Sequence, residues 1–241
     1  MSTTVLADQE EIQNRLIAIE DRIRTACEKS GRDPRDVQLI AITKTFPTEL
    51  VRKACALGFA QIGENRIQES IEKYKDNWIR QEFPGTRLHL VGHLQSNKVR
   101  KAFEIFDSID SVDSLSLAER ISRIAEETGR SVRTLLEVNS SGEARKFGLE
   151  PAAVLDVARQ ATELPNTTLS GLMTVGPLTD DQTRIRSAFR MMHDLFKEIN
   201  CQLRSPHWTA LSMGMTGDFE IAIEEGATEI RLGSALFGPR S

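Results

Sequence analysis

The sequence predicts an α/β fold, a single (β/α)8 TIM barrel with an extra N-terminal helix. Three observations carry this. Short apolar, β-branched runs alternate with amphipathic segments, and the alternation repeats eight times without a linker or low-complexity stretch. The chain has 241 residues, close to the roughly 250 of a typical barrel of this kind. The glycines, hydroxyls and charged residues that punctuate it stand mostly after the apolar runs, at the end of the strands where such barrels keep their sites.

Residues 7–30 predict a helix, because Ile12, Leu16, Ile19, Ile23 and Ala26 recur every three or four positions among charged neighbours. Gly31 ends it, and Asp33-Pro34 turns the chain. This helix precedes the first strand, so residues 1–31 should pack outside the barrel and 1–241 should form one domain. The predicted strands are 37–43, 60–63, 87–91, 105–111, 132–138, 168–174, 208–212 and 229–232. Helices follow at 48–58, 65–78, 96–103, 115–129, 152–163, 182–202 and 218–226, with a closing turn at 234–237. A doubly wound open sheet is the alternative. It usually carries a glycine-rich first turn, and the Thr43-Lys44-Thr45 turn has none.

Composition removes several functions. Net charge is −4 and pI about 5.7, against nonspecific nucleic-acid binding, which needs a basic surface. Cys27, Cys55 and Cys201 are widely spaced and odd in number, so neither a metal site nor a disulfide framework is indicated. The first eleven residues lack an apolar signal core, and no run reaches membrane-spanning length. The expectation is a cytoplasmic protein without metal.

The first strand ends on Lys44, and Pro47 stops the extended run. A lysine at this handover, backed by an apolar strand, can be partly desolvated, which lowers its pKa and frees an amine to attack a carbonyl. A lysine snorkelling off a strand end is the common alternative. After the seventh and eighth strands, Ser212-Met-Gly-Met-Thr216-Gly217 and Gly233-Ser234 have the small residues and hydroxyls of a phosphate pocket. Arg231 lies inside the last strand and needs a partner. It could face a cofactor ring nitrogen, which a guanidinium can hydrogen-bond but not protonate, or pair with a carboxylate such as Glu137.

Several ordered motifs make the pattern specific: Ala41-Ile-Thr-Lys44-Thr, Gly63-Glu-Asn65-Arg-Ile-Gln68, His89-Leu-Val-Gly92-His-Leu-Gln95-Ser-Asn97-Lys98, Glu137-Val-Asn139, Gly171-Leu-Met173, Leu211-Ser-Met-Gly-Met215 and Arg231-Leu-Gly233. Over nearly the whole chain the sequence resembles the pyridoxal phosphate homeostasis proteins, barrels like the N-terminal part of alanine racemase. The resemblance implies pyridoxal 5'-phosphate held as an internal aldimine on Lys44. It implies phosphate contacts from Ser212, Thr216, Gly233 and Ser234, Arg231 at the pyridine nitrogen, and Asn65 near the ring. It also implies a role in the level and delivery of the cofactor without established catalytic turnover.

Two enzymatic readings stand beside it. A pyridoxal-phosphate-dependent amino-acid racemase with two bases needs a tyrosine opposite the lysine. The one tyrosine, Tyr74, sits between Lys73 and Lys75 and reads as a surface residue. Among the histidines only His93 falls plausibly near the mouth. A Schiff-base sugar-phosphate aldolase or isomerase would want a carboxylate or second lysine deep in the barrel, for which Glu137 is the strong candidate. Lys98, Arg100 and Lys101 read as a solvated helix face, and a second anion site using Lys98 and Lys146 is the sharper alternative. The expected partners are pyridoxal phosphate and apo-enzymes that use it, and the expected state is a monomer.

Overall fold

The computed structural model describes residues 8–143 and 146–239. Eight parallel strands close in sequential order: β1 (Gln38–Ile42), β2 (Gln61–Glu64), β3 (Arg87–Leu90), β4 (Ser108–Val112), β5 (Val132–Glu137), β6 (Thr167–Met173), β7 (Ala210–Ser212) and β8 (Glu229–Leu232). Closure is the pairing of β1 with β8, in which Ile40 lies beside Arg231. The helices are α1 (Gln9–Ser30), α2 (Thr48–Ala56), α3 (Ile67–Lys73), α4 (Trp78–Glu82), α5 (Val99–Phe103), α6 (Leu115–Thr128), α7 (Val154–Thr162), α8 (Gln182–Leu203), α9 (Phe219–Glu224) and α10 (Ser234–Phe237). The predicted barrel and its leading helix are therefore both present. Among the described residues no helix is long and apolar enough to cross a membrane.

Helix α1 starts on Asp8, whose carboxylate accepts the Glu11 N–H at 2.8 Å, and ends on Gly31 at φ +67°. Its buried stripe, Ile12, Ile19, Ile23, Ala26 and Cys27, lies against α9 and α10 on the outside of the barrel. Ionic and polar contacts fix the register. Arg22 pairs with Glu220 at 2.5 Å and lies over the Phe219 ring, and Arg32 donates to the Ile223 carbonyl at 2.7 Å.

One predicted helix is divided. The stretch 65–78 forms α3, then a turn in which Asp76 and Asn77 take positive φ, then α4. Asn and Asp tolerate that region better than other side chains. The break lets Trp78 swing inward, where its indole N–H donates to the Lys73 carbonyl at 2.8 Å.

Strand alternation separates two apolar layers. Thr134 and Leu136 of β5 face the helices, while Leu135 packs in an inner cluster with Met173 and Ala210. Arg133 and Glu137 share the inner face with Leu135, one at each end of the barrel. Gly63 belongs to the inner face of β2, since a Cβ there would come within 2.4 Å of the Ile42 Cδ1.

The amino-terminal end of the barrel is closed by charge. Arg133 pairs with Glu229 at 2.5 Å and reaches Asp110 at 3.6 Å. His89 bridges Asp110, at 2.9 Å, and the Gln61 side chain, at 2.7 Å. Burial alone would raise the Asp110 carboxyl, but His89, Arg133 and Ser108 hold it below its usual value. The stabilisation from a depressed carboxyl is present above the ordinary carboxylate range and is lost as pH falls through the folded value. Asp110→Asn should therefore cost about 3 kcal/mol at neutral pH, the scale of a broken buried ion pair. Urea melts should show that difference shrinking in acid, and an equal cost at all pH values would refute the assignment.

Candidate functional site

The predicted site residues come from different strands and gather at the carboxyl-terminal mouth. Lys44 is half-buried just after β1. It is bracketed by Thr43, which is fully buried, and Thr45, which takes φ +67°. Asn65 follows β2 and packs tightly against the loop after β3: a Cβ on Gly92 would lie 2.2 Å from the Asn65 carbonyl oxygen. Glycine at position 92 is what lets these two loops meet.

Arg231 is the deepest charge of the group. Its guanidinium donates to the Ser212 hydroxyl at 2.8 Å and to the Thr174 carbonyl at 2.6 Å. Desolvation lowers its pKa, while the charges of Asp110, Asp218, Glu137 and Glu229 oppose that. The predicted alternative, direct pairing with Glu137, does not form: among the described residues both hydrogen bonds of the guanidinium go to neutral groups. Ser212 itself is fully buried, so its hydroxyl serves first to orient Arg231.

The loops after β7 and β8 meet through their hydroxyls, with Ser234 Oγ 3.3 Å from Thr216 Oγ1. The loop after β7 is pinned from below, where Asp218 accepts the Met215 N–H at 2.6 Å. Gly233 caps α10 and receives N–H groups from Leu236 and Phe237. Thr216, Gly233 and Ser234 are thus brought together as the spacing predicts.

Glu137 lies at the inner end of β5, is 9% exposed, and its Oε2 finds no hydrogen-bond partner among the described residues. Burial raises this carboxyl to about 7, Asp113 adds to the rise, and Arg231 opposes it. His93 ties the neighbouring loops together. Its Nδ1 lies 3.1 Å from Asp113, and its ring stacks on Phe147 at 3.8 Å. Lys146 donates to the Gly176 carbonyl and pairs with Glu143, both at 2.9 Å. Its ammonium is already engaged, and among the described residues no hydrogen bond or ion pair joins it to Lys98.

Sequence reasoning missed the cluster beneath Lys44. Tyr74 is not a surface residue: it is 6% exposed, and its hydroxyl donates to Glu64 at 2.9 Å. Lys73 is buried beside it and pairs with Glu64 and Glu69. The signal available was the Glu69–Lys73 spacing of four along a helix, which places both on one face.

A barrel with a lysine at the end of its first strand and an arginine within its last defines a class, the alanine-racemase-type barrels. The model of the alanine racemase N-terminal domain matches residues 15–241. The pyridoxal phosphate homeostasis protein of Aquifex aeolicus is 37% identical over 234 residues, covering 94% of this chain and 97% of that one. Its namesake in Escherichia coli is 33% identical over 230 residues, covering 95% and 97%. The structure of PipY from Synechococcus elongatus with pyridoxal phosphate bound superposes with TM-score 0.78 at 40% identity, covering 91% of this chain and all of that one. Alanine racemase from Clostridium difficile, at 15% identity and TM-score 0.70, shares the fold, and this chain covers 56% of it. The chain belongs to the pyridoxal phosphate homeostasis protein family.

The Glu137 carboxyl titrates above the ordinary carboxylate value of 4.5, at about 7. A raised carboxyl makes the folded state bind the proton more tightly, so stability falls as pH rises through this window. Glu137→Gln should therefore gain on the wild type between these pH values and hold its advantage above them, by at most about 3 kcal/mol. Paired thermal melts across the window test this, and a gap that does not change with pH would refute it.

Proposed function

We propose that this protein binds pyridoxal 5'-phosphate through Lys44 and serves to hold and deliver it in the cytoplasm, as a monomer that supplies apo-enzymes rather than as a catalyst. The observation that carries the reading is the buried Arg231 guanidinium, fixed by neutral groups at the foot of the loops after β7 and β8, whose hydroxyls meet at 3.3 Å. The donor set fits the cofactor. A dianionic phosphate calls for small hydroxyl and backbone donors, and Ser212, Thr216, Gly233 and Ser234 provide them. The orphaned Glu137 oxygen offers a buried acceptor for a polar group entering the mouth.

When bound, the cofactor supplies an aldehyde that condenses with amines and a ring that draws electrons from the attached carbon. Lys44 contributes the amine that holds it. Asn65, just after β2, would lie beside the ring. Arg231 could donate a hydrogen bond to the ring nitrogen but is too weak an acid to protonate it, which would keep the ring a weak electron sink. Tyr74, the only tyrosine, is turned onto Glu64 beneath Lys44, so it cannot serve as the opposing base of a racemase. This supports storage and release over turnover. The PLP-bound PipY relative and the homeostasis names of the relatives support it too.

Protein incubated with pyridoxal phosphate and then reduced with borohydride should carry a pyridoxyl group on the Lys44 peptide, found by mass analysis. Lys44→Ala should lose that adduct. The wild type should not exchange the α-hydrogen of alanine in deuterated water. A wild type that stays unmodified would overturn cofactor binding, and exchange abolished by Lys44→Ala would overturn the carrier reading in favour of a racemase.

A further inference from the structure

Lys73 is a lysine that nothing above uses. Its side chain is 5% exposed, although a solvated lysine is the rule on a barrel helix. Its three donors are all taken: the Thr43 carbonyl at 2.8 Å, Glu64 Oε1 at 2.9 Å and Glu69 Oε1 at 2.9 Å. Each acceptor is tied to the backbone around Lys44. The Thr43 hydroxyl donates to the same Glu64 oxygen at 2.6 Å. Glu69 Oε1 accepts the Thr45 N–H at 2.5 Å. Tyr74 adds a third donor onto Glu64.

Residues 43 and 45 flank Lys44, and both converge on one buried ammonium. The turn they make is unusual. Thr45 is β-branched and holds φ +67°, a region such residues avoid unless the surroundings impose it. A buried ion pair is seldom the best way to stabilise a fold, since apolar residues of the same size often do as well. The placement of this one answers a different need: it holds a strained turn whose central side chain is Lys44.

We propose that Lys73 is a positioning residue for Lys44, gathering the backbone on both sides of it onto one buried point and so fixing the direction in which the Lys44 amine leaves the end of β1. This inference rests on the reading of Lys44 as the cofactor-bearing lysine. Through Glu69 the control reaches Thr45, and through the carbonyl and hydroxyl of Thr43 it reaches the strand end. A displaced turn would leave phosphate binding intact and spoil only the attack of the amine.

Two ligands separate these effects. Pyridoxal phosphate needs Lys44, whereas pyridoxine 5'-phosphate has no aldehyde and binds without it. In Lys73→Met the yield of borohydride-trapped adduct on Lys44 should fall about tenfold, the scale of one lost charge-assisted hydrogen bond. The affinity for pyridoxine 5'-phosphate, read by fluorescence titration, should stay as in the wild type. Lys73→Arg should recover part of the adduct. If Lys73→Met does not fold, Glu69→Gln makes a milder version of the same test by removing the charge that Lys73 and the Thr45 N–H share, with an expected loss of about threefold. Unchanged trapping on Lys44 would overturn the inference. So would a parallel loss of both ligands, which marks a general disturbance of the mouth. If the wild type itself takes no adduct on Lys44, the cofactor reading fails instead, and that outcome is visible before any variant is made.

Discussion

A guanidinium buried in a closed barrel must have its charge answered from every side, and much of this molecule follows from that requirement at Arg231. Two of its five N–H groups are held by Ser212 and Thr174, one from β7 and one from just beyond β6. Its charge is balanced at longer range by Glu137, Asp218, Asp110 and Glu229. Those carboxylates come from two further strands, a loop and the arginine's own strand, so the cation acts as a hub for the inner face. Asp218 feels the same field from a half-enclosed place: burial raises its carboxyl, while the Met215 N–H and Arg231 pull the other way. The loop after β7 is shaped by that compromise.

The barrel interior is thus charged at both ends and apolar between. At the amino-terminal end Arg133, Glu229, Asp110 and His89 pair with one another, although Glu229 Oε2 finds no partner among the described residues. At the carboxyl-terminal end Lys44 is half-buried, and Glu137 Oε2 lacks a donor among the described residues. The contrast distinguishes a plug from a receptacle. A closed network resists entry, whereas an unpartnered buried acceptor at an open mouth is a standing invitation to a polar ligand.

Much of this was legible in the residues. Lys44 could be placed because an apolar run ends on it, and Arg231 because a charge inside a strand needs a reason. The hydroxyls of Thr216 and Ser234 stood in adjacent loops, and the barrel made them neighbours. Tyr74 and Lys73 were illegible for a physical reason. Local composition around 73–75 is that of a solvated helix, and only the carboxylate of Glu64, nine positions earlier and on a strand, turns the segment inward. The helix break at Asp76 and Asn77 was hidden in the same way, since neither residue forbids a helix. The titration of Glu137 depends on Asp113 and Arg231, from two other strands' ends, and no local window contains them.

The contacts of α1 have a consequence for the order of events in the cell. Its partners, α9 and α10, are the last helices of the chain, and β1 finds its second neighbour only in β8. Lys44 is therefore made early and Arg231 late, yet each needs the other's strand. On the ribosome the amine emerges into a chain that cannot yet form the ring around it. The ring can close only once β8 has been made, so the mouth takes shape long after the residues of β1 have left the ribosome.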